Sequence, residues 1–268
     1  MRHKILNKLK NLKIETTAAL YGPSVTKAVF MGHQKSGTTA IANLLSKRSK
    51  MSYSNDPVFF SCRESNDAVK LLENKSEEFV TIMRAHRGLF FREVVKDPDF
   101  SFAPCLISRM YPAAKIIFIS RNPFDIIRSI YNRLGISGQI EAKKIPMSNM
   151  KNPTCQWDYI INGEIGCSKQ VTERLAARIE ETTVQYLKHK DKVTLVKYEE
   201  FMSNKSKFID ELADNLGFEK KSDITDYLNK QFQPKGQSEI SSDEFFSRES
   251  TRIISKACPI TLSEFTYI

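Results

Sequence analysis

Short apolar runs alternate with longer stretches of helical periodicity along the chain. Apolar runs of strand length occupy 27–31, 51–54, 91–96, 114–120 and 192–197. Apolar residues at helical spacing cover 38–48, 64–73, 101–111, 123–134, 169–190 and 204–216. Strands that alternate with helices predict right-handed crossovers and a parallel sheet. We therefore predict a three-layer α/β/α fold with a central parallel sheet, whose ligands bind at the carboxyl ends of the strands.

Two parts of the chain depart from this alternation, although we treat 1–268 as a single domain. Residues 1–26 form a basic lead-in that is weakly amphipathic in its first half. It is compatible with a solvated helix packed on the domain or with a helix on an anionic membrane surface. Residues 135–168 are irregular and rich in Gly and Pro, which indicates a lid, an acceptor-binding region or disorder.

The charge balance narrows the range of partners. The 268 residues carry a formal net charge of +10 and a pI near 9.3. Such a surplus fits a nucleotide, a sulfated or phosphorylated glycan, nucleic acid or an anionic membrane, although a generic basic surface also explains it. The five cysteines form no C-x-x-C pair, which favours free thiols in a reducing, cytoplasmic compartment. No apolar run approaches the roughly 18 residues of a membrane span.

A strand–loop–helix segment, AVFMGHQKSGTTAIANLL at 28–45, carries the first candidate chemistry. Gly32 and Gly37 have the spacing of a nucleotide-binding loop, but Thr38 stands where its lysine should be, and Lys35 precedes the second glycine. Backbone N–H groups from Ser36 onward would face an anion at the start of the following helix. A simple helix cap would explain Ser36 or Thr38, but it leaves Lys35 without a role.

A second anion site is predicted where the apolar strand at 114–120 ends. Arg121 follows that strand directly, and Pro123 suits the first turn of a helix. Ser129 lies eight residues after Arg121, about two turns into that helix. An arginine at a strand tip together with a hydroxyl donor suits a phosphate group.

Taken together, QKSGTT and RNPFDIIRSIY closely resemble the sulfotransferases that use 3′-phosphoadenosine 5′-phosphosulfate (PAPS). The resemblance implies the P-loop-like sulfotransferase fold and assigns two groups of residues. The 5′-phosphosulfate site comprises Lys35, Ser36, Gly37, Thr38 and Thr39. The 3′-phosphate site comprises Arg121 and Ser129. Lysine can precede the second glycine because this donor has one phosphate and one sulfuryl group at its 5′ end, with no magnesium-bound β,γ-phosphate pair.

Three weaker matches extend the resemblance over about 27–217 and beyond. VVKDPDF at 94–100 resembles the K-D-P strand end of tyrosylprotein sulfotransferases and places Lys96 beside the transferred group. VKYEEF at 196–201 resembles the family's late R/K-Y-E-D-L segment and places Tyr198 near the adenine. QPKGQ at 233–237 is similar to a basic loop over the nucleotide and suggests Lys235.

The resemblance also suggests the catalytic base. In the glycan and tyrosylprotein branches the base is a glutamate about 20 residues after the loop glycine. Here Asp56 lies 19 residues after Gly37, in the similar context DPVFF, with a turn before Pro57 as the alternative role. Glu64 is the reserve candidate. The cytosolic aryl and steroid branch uses a histidine, but Pro98 occupies the matching place here.

The resemblance therefore implies sulfuryl transfer from PAPS to a hydroxyl or amine without a metal, and we expect a glycan or glycolipid as the acceptor. A P-loop kinase or NTPase is one alternative, although the displaced lysine argues against it. A non-enzymatic polyanion-binding protein is another, suggested by the charge alone. No basic-aromatic motif for nucleic acid is present, and the basic lead-in leaves open a peripheral contact with a membrane.

Overall fold

The structure is a computed structural model that describes residues 25–61, 67–163, 170–229 and 240–267. Most of the basic lead-in therefore lies outside the described residues, as do Glu64 and Lys235.

A five-stranded sheet forms the centre of the fold, and all of its strand pairs are parallel. The strands are β1 (Ala28–Gly32), β2 (Tyr53–Asn55), β3 (Val94–Lys96), β4 (Lys115–Ser120) and β5 (Val193–Lys197). Their order across the sheet is β2-β3-β1-β4-β5. The predicted parallel α/β fold is confirmed, and each predicted strand is present within about three residues of its expected ends.

Helices cover both faces of the sheet and fill the connections. In chain order they are α1 (Thr38–Arg48), α2 (Pro57–Ser61), α3 (Asp67–Glu73), α4 (Phe79–Ala85), α5 (Arg87–Phe90), α6 (Pro104–Met110), α7 (Pro123–Leu134), α8 (Cys155–Asn162), α9 (Val171–Leu187), α10 (Tyr198–Ser203), α11 (Lys205–Leu216), α12 (Ser242–Phe245), α13 (Arg248–Ala257) and α14 (Pro259–Glu264). Short 3₁₀ turns occupy Pro98–Phe102, Met147–Asn149, Lys190–Lys192 and Thr225–Tyr227. No described helix has the length and apolar content needed to cross a bilayer.

Helix α7 shows why the local signals sufficed for some boundaries. The Asn122 side chain accepts a hydrogen bond from the backbone N–H of Phe124, and Pro123 takes the first helical position. Gly135 ends the helix in the left-handed conformation, with φ of 67°. Both bounds match the sequence prediction because start and stop signals are encoded within a few residues of the ends.

Apolar side chains alternate between the two faces of the central strands. On β1, Val29 and Met31 pack into the core on one face, whereas Ala28 and Phe30 pack into the core on the other. Strand β4 alternates in the same way. Both faces are therefore buried, as a three-layer fold requires.

A further apolar cluster lies beside the sheet, among α7, α8, α9 and α13. It contains Ile145 and Met150 from the stretch predicted to be irregular, as well as both isoleucines near the end of α8. The described part of this stretch, 135–163, is thus packed against the domain and carries its own helix. The search for apolar residues at helical spacing missed α8, because this helix has only eight residues and is flanked by Gly and Pro.

Candidate active site

The carboxyl edge of the sheet gathers residues that the sequence placed at unrelated positions. Lys96 is the last residue of β3, Asp56 follows β2, Arg121 follows β4 and Tyr198 follows β5. Because parallel strands end at the same edge, these side chains meet around the loop that leaves β1 at Gly32.

The loop between β1 and α1 is held in a conformation that needs its glycines. Gly37 has φ of 92°, and a Cβ there would lie 2.2 Å from the Tyr198 ring. A Cβ on Gly32 would lie 2.5 Å from the carbonyl oxygen of Ile119. Between them, Lys35 takes the left-handed region with φ of 71°, which is uncommon for a residue with a side chain.

This loop presents hydrogen-bond donors at the start of α1. The first N–H groups of a helix have no partner within the helix and attract anions. Thr38 begins α1, and Thr39 is half-buried beside it. The Ser36 hydroxyl is buried and has no hydrogen-bond partner among the described residues. Such a group is costly unless a ligand or water completes it, so the loop fits the phosphate end of a nucleotide.

Lys35 and Arg121 lie on the same side of the molecule. The Arg121 Nη1 donates to the carbonyl oxygen of Lys35 at 2.9 Å, and its guanidinium carbon lies 4.4 Å from the Tyr198 ring centroid. Burial, together with the nearby cations Arg133 and Arg121, lowers the pKa of Lys35 to about 8. A bound anion would relieve this repulsion between cations.

Lys96 and Asp56 form an ion pair next to the loop. The Lys96 Nζ lies 2.5 Å from Asp56 Oδ1, and the backbone N–H of Asp56 donates to the Lys96 carbonyl at 2.8 Å. The lysine side chain is only 2% exposed, whereas that of Asp56 is 31% exposed. The carboxylate therefore faces solvent from the rim of the site, and the ammonium lies beneath it.

Ser129 lies on the second turn of α7 and is half-buried. Arg133 follows one turn later and is also half-buried, and its charge acts on Lys35. Sequence reasoning did not single out Arg133, although its spacing of four residues from Ser129 places both on one helical face.

Behind the loop lies a buried polar network that the motifs did not predict. Asp99 accepts from Gln34 Nε2 at 2.5 Å and from Gln156 Nε2 at 3.0 Å. Arg178 pairs with Glu73 at 2.6 Å and lies 3.9 Å from Asp99. Burial raises the pKa of Asp99 to about 6. Because Gln34 precedes Lys35, this network holds the loop next to Lys35.

His33 belongs to this interior and not to the reacting centre. Its side chain is 3% exposed, and burial lowers its pKa to about 3, so the ring stays neutral. Its Nδ1 contacts the Gln34 carbonyl at 2.9 Å; since a carbonyl oxygen only accepts, Nδ1 carries the proton.

The comparison with known families decides the class. The sulfotransferase domain family matches residues 26–256, which is most of the chain. The chain belongs to the sulfotransferase family. The PAPS-dependent enzyme class and the P-loop-like fold predicted from the motifs are thereby confirmed.

Solved sulfotransferases share this architecture at low sequence identity. A sulfotransferase from Alicyclobacillus acidocaldarius is 14% identical with a TM-score of 0.52, over 89% of this chain and 93% of that one. Sulfotransferase STF9 from Mycobacterium avium is 12% identical with a TM-score of 0.51, over 93% of this chain and 79% of that one. None of the curated proteins compared with this sulfotransferase matches it. At these identities the likeness concerns the fold.

The described residues of this sulfotransferase contain no cluster of three His, Cys, Asp or Glu side chains that could hold a metal ion.

Proposed function

We propose that this sulfotransferase moves the sulfuryl group of PAPS to a hydroxyl group of a glycan or glycolipid. The observation that carries the assignment of the donor site is the contact between Arg121 and the Lys35 backbone. It brings the two predicted anion sites to one edge of the sheet, as a nucleotide with phosphate groups at both its 3′ and 5′ positions requires.

In this proposal the donor is held at both ends. Its 5′-phosphosulfate lies against Lys35 and the loop donors, which are Ser36, Gly37, Thr38 and Thr39. Its 3′-phosphate is bound by Arg121 and Ser129, and Tyr198 lies near the adenine. The Ser36 hydroxyl supports this assignment, since no described residue hydrogen-bonds to it. Lys235 stays a prediction because it lies outside the described residues.

Sulfuryl transfer then needs a base, a group for the leaving phosphate and a group for the sulfuryl oxygens. Asp56 takes the proton of the acceptor hydroxyl while the new S–O bond forms. The bond between sulfur and the bridging oxygen breaks, and Lys35 stabilises the charge left on the phosphate. As Asp56 gains its proton its ion pair weakens, which frees Lys96 to bind the sulfuryl oxygens.

The glycan acceptor is supported by the charge and exposure of the site. The base is a carboxylate at the rim, open to a large acceptor, and Arg133 adds a cation near Lys35. Together with the net charge of +10, this arrangement suits an acceptor that carries hydroxyl groups and negative charge, such as an acidic polysaccharide or an acidic glycolipid.

The test is a screen with ³⁵S-labelled PAPS. Unsulfated chondroitin, hyaluronan, an acidic glycolipid, a tyrosine peptide and a long-chain alcohol serve as acceptors. We expect labelling of a glycan or glycolipid, and we expect Asp56→Asn to abolish it while still binding adenosine 3′,5′-bisphosphate (PAP). Labelling of the peptide or alcohol alone would refute the glycan assignment, and full activity of Asp56→Asn would move the base elsewhere.

A further inference from the structure

Asn55, the last residue of β2, touches both the donor loop and the proposed base. Its Nδ2 donates to Asp56 Oδ2 at 2.6 Å. Its Oδ1 accepts from the Tyr53 hydroxyl at 2.9 Å and lies 3.4 Å from the Thr39 hydroxyl oxygen. One amide therefore joins a residue in the first turn of α1 and a base that come from different segments of the chain.

The hydrogen-bonding partners fix the orientation of this amide. An ionised carboxylate only accepts hydrogen bonds, so the NH₂ group must face Asp56. The carbonyl oxygen then faces the two hydroxyl groups. Burial raises the pKa of Tyr53 far above its usual value, and the charges of Asp56 and Asp97 raise it further. Tyr53 is therefore a neutral donor, which matches the acceptor it meets.

The two oxygens of Asp56 are thus held by different donors. Lys96 Nζ binds Oδ1, and the Asn55 amide binds Oδ2. The strand register places Asn55 beside Lys96 in the sheet, so both donors come from rigid elements. Asp56 itself has φ of 51°, an uncommon conformation that its backbone hydrogen bond to Lys96 supports.

We infer that Asn55 is a positioning residue for sulfuryl transfer, which holds the Asp56 carboxylate in its working rotamer and connects it to Thr39, in the first turn of α1 after the donor loop. This inference rests on the proposed role of Asp56 as the base. Asn55 does not exchange a proton with the acceptor; it acts through the carboxylate that does.

Asp56 has both a cation and carboxyl groups as neighbours among the described residues. Lys96 lies in contact with Asp56. The negative charge of Asp56 contributes to the raised pKa of Asp97, of Asp99 and of Tyr53. Removing the Asn55 N–H donor makes the carboxylate hold its proton more tightly. Replacing the amide by a second carboxylate has a larger effect in the same direction because the charges repel.

The experiment compares Asn55→Ala and Asn55→Asp with the wild type and with Asn215→Ala, a control on the exposed face of α11. Single-turnover transfer from PAPS is measured from about pH 3.5 to 9, a range that includes the ordinary pKa of an aspartate, with the best acceptor of the screen or, failing that, with water. The titration midpoint of the Asp56 carboxyl carbon is followed by ¹³C NMR, and its signal is assigned from Asp56→Asn. PAP affinity is measured by calorimetry.

We expect Asn55→Ala to lower the rate at pH 7 on the order of ten-fold or more, because a hydrogen bond to a charged group is lost. The acid limb of the pH–rate profile should move to higher pH, and so should the NMR titration midpoint of the Asp56 carboxyl carbon. Both shifts should be larger in Asn55→Asp than in Asn55→Ala. PAP affinity should stay within about two-fold, since the loop's backbone donors remain.

Two results would overturn the inference. One is an Asn55→Ala enzyme with the wild-type rate and the wild-type midpoint. The other is a loss of rate that is matched by an equal loss of PAP affinity, which would indicate a role in donor binding or folding. If Asp56→Asn retains transfer, the proposed base is wrong; if Asp56→Asn is inactive while Asn55→Ala behaves as wild type, only the positioning role of Asn55 fails.

Discussion

At the scale of single residues, two side chains of the site occur on backbone that proteins usually reserve for glycine. Lys35 and Asp56 both have φ in the left-handed region, at 71° and 51°. Each conformation costs on the order of 1 kcal/mol and persists only where neighbours enforce it. Here the neighbours are Arg121, which binds the Lys35 carbonyl, and Lys96, which binds the Asp56 N–H. The site residues thus hold one another in place.

The charge of Lys35 should make donor binding depend on pH. In the free protein Lys35 loses its proton as the pH rises through about 8, whereas the bound phosphate favours the charged amine. We expect PAP affinity to fall by up to about ten-fold per pH unit above that point. In Lys35→Arg the decline should disappear, because arginine stays charged. Calorimetry from pH 7 to 9.5 measures the PAP affinity of the wild type and of Lys35→Arg. The same decline of affinity with pH in the two proteins would contradict the role of Lys35.

Arg121 should contribute to donor binding more than to the chemical step. We expect Arg121→Ala to raise the KM for PAPS by about 10- to 100-fold, because a charge-assisted contact to the 3′-phosphate is lost. The same variant should bind adenosine 5′-phosphate almost as well as the wild type does, since that ligand lacks the 3′-phosphate. Equal losses for both nucleotides would mean that Arg121 acts only through the loop and Tyr198.

At the scale of elements, the buried ion pair between α3 and α9 supports the loop from behind. Arg178 is 2% exposed and Glu73 is 9% exposed, and Tyr159 of α8 donates to the same carboxylate. Asp99 then connects Arg178 to Gln34 of the loop. Three helices and the donor loop therefore share one polar network. Removal of one charged side chain from it leaves the opposite charges buried without a partner ion.

Arg178→Met should destabilise the fold by about 3–5 kcal/mol, because it leaves the Glu73 and Asp99 carboxylates buried without their cation. Arg252→Met is the matched control. Arg252 pairs with Glu249 at 2.6 Å, but both side chains are exposed, so its loss should cost at most about 1 kcal/mol. Urea unfolding of the two variants measures the difference. Similar costs for both would show that the buried network contributes no more than a surface pair.

At the scale of the whole molecule, the proposed donor site draws residues from three of the five strand ends. The loop after β1 and the residues after β4 and β5 would all contact it, so its binding energy adds to the stability of the folded state. Ligands that bind only the native protein stabilise it in proportion to the logarithm of their concentration. The unusual loop should make this effect specific for PAP.

We expect PAP at about 100 times its Kd to raise the free energy of unfolding by about 2.7 kcal/mol, which corresponds to a Tm increase of roughly 5–10 °C. ATP with Mg²⁺ at the same concentration should raise the Tm much less, because it carries no 3′-phosphate. Differential scanning fluorimetry compares the two. A larger shift with ATP and Mg²⁺ would favour the kinase alternative at this site.

The sequence by itself determined the parallel α/β fold, the bounds of α1 and α7, and the donor-loop motif. These features depend on signals within a few neighbouring residues: alternation on strands, caps on helices and glycines where φ is positive. The motifs also placed Lys96, Asp56 and Arg121 at strand ends, and the sheet order brought those ends together.

Only the tertiary structure decided the partners of these residues. Gln34 and Asp99 are 65 positions apart, and Arg178 and Glu73 are 105 positions apart. The VVKDPDF segment contains Asp99, but nothing local distinguishes it from an exposed turn residue. Burial and pairing depend on which segments the fold packs together. The network behind the loop and the ion pair between Asp56 and Lys96 therefore arose from packing between distant segments, which no local pattern encodes.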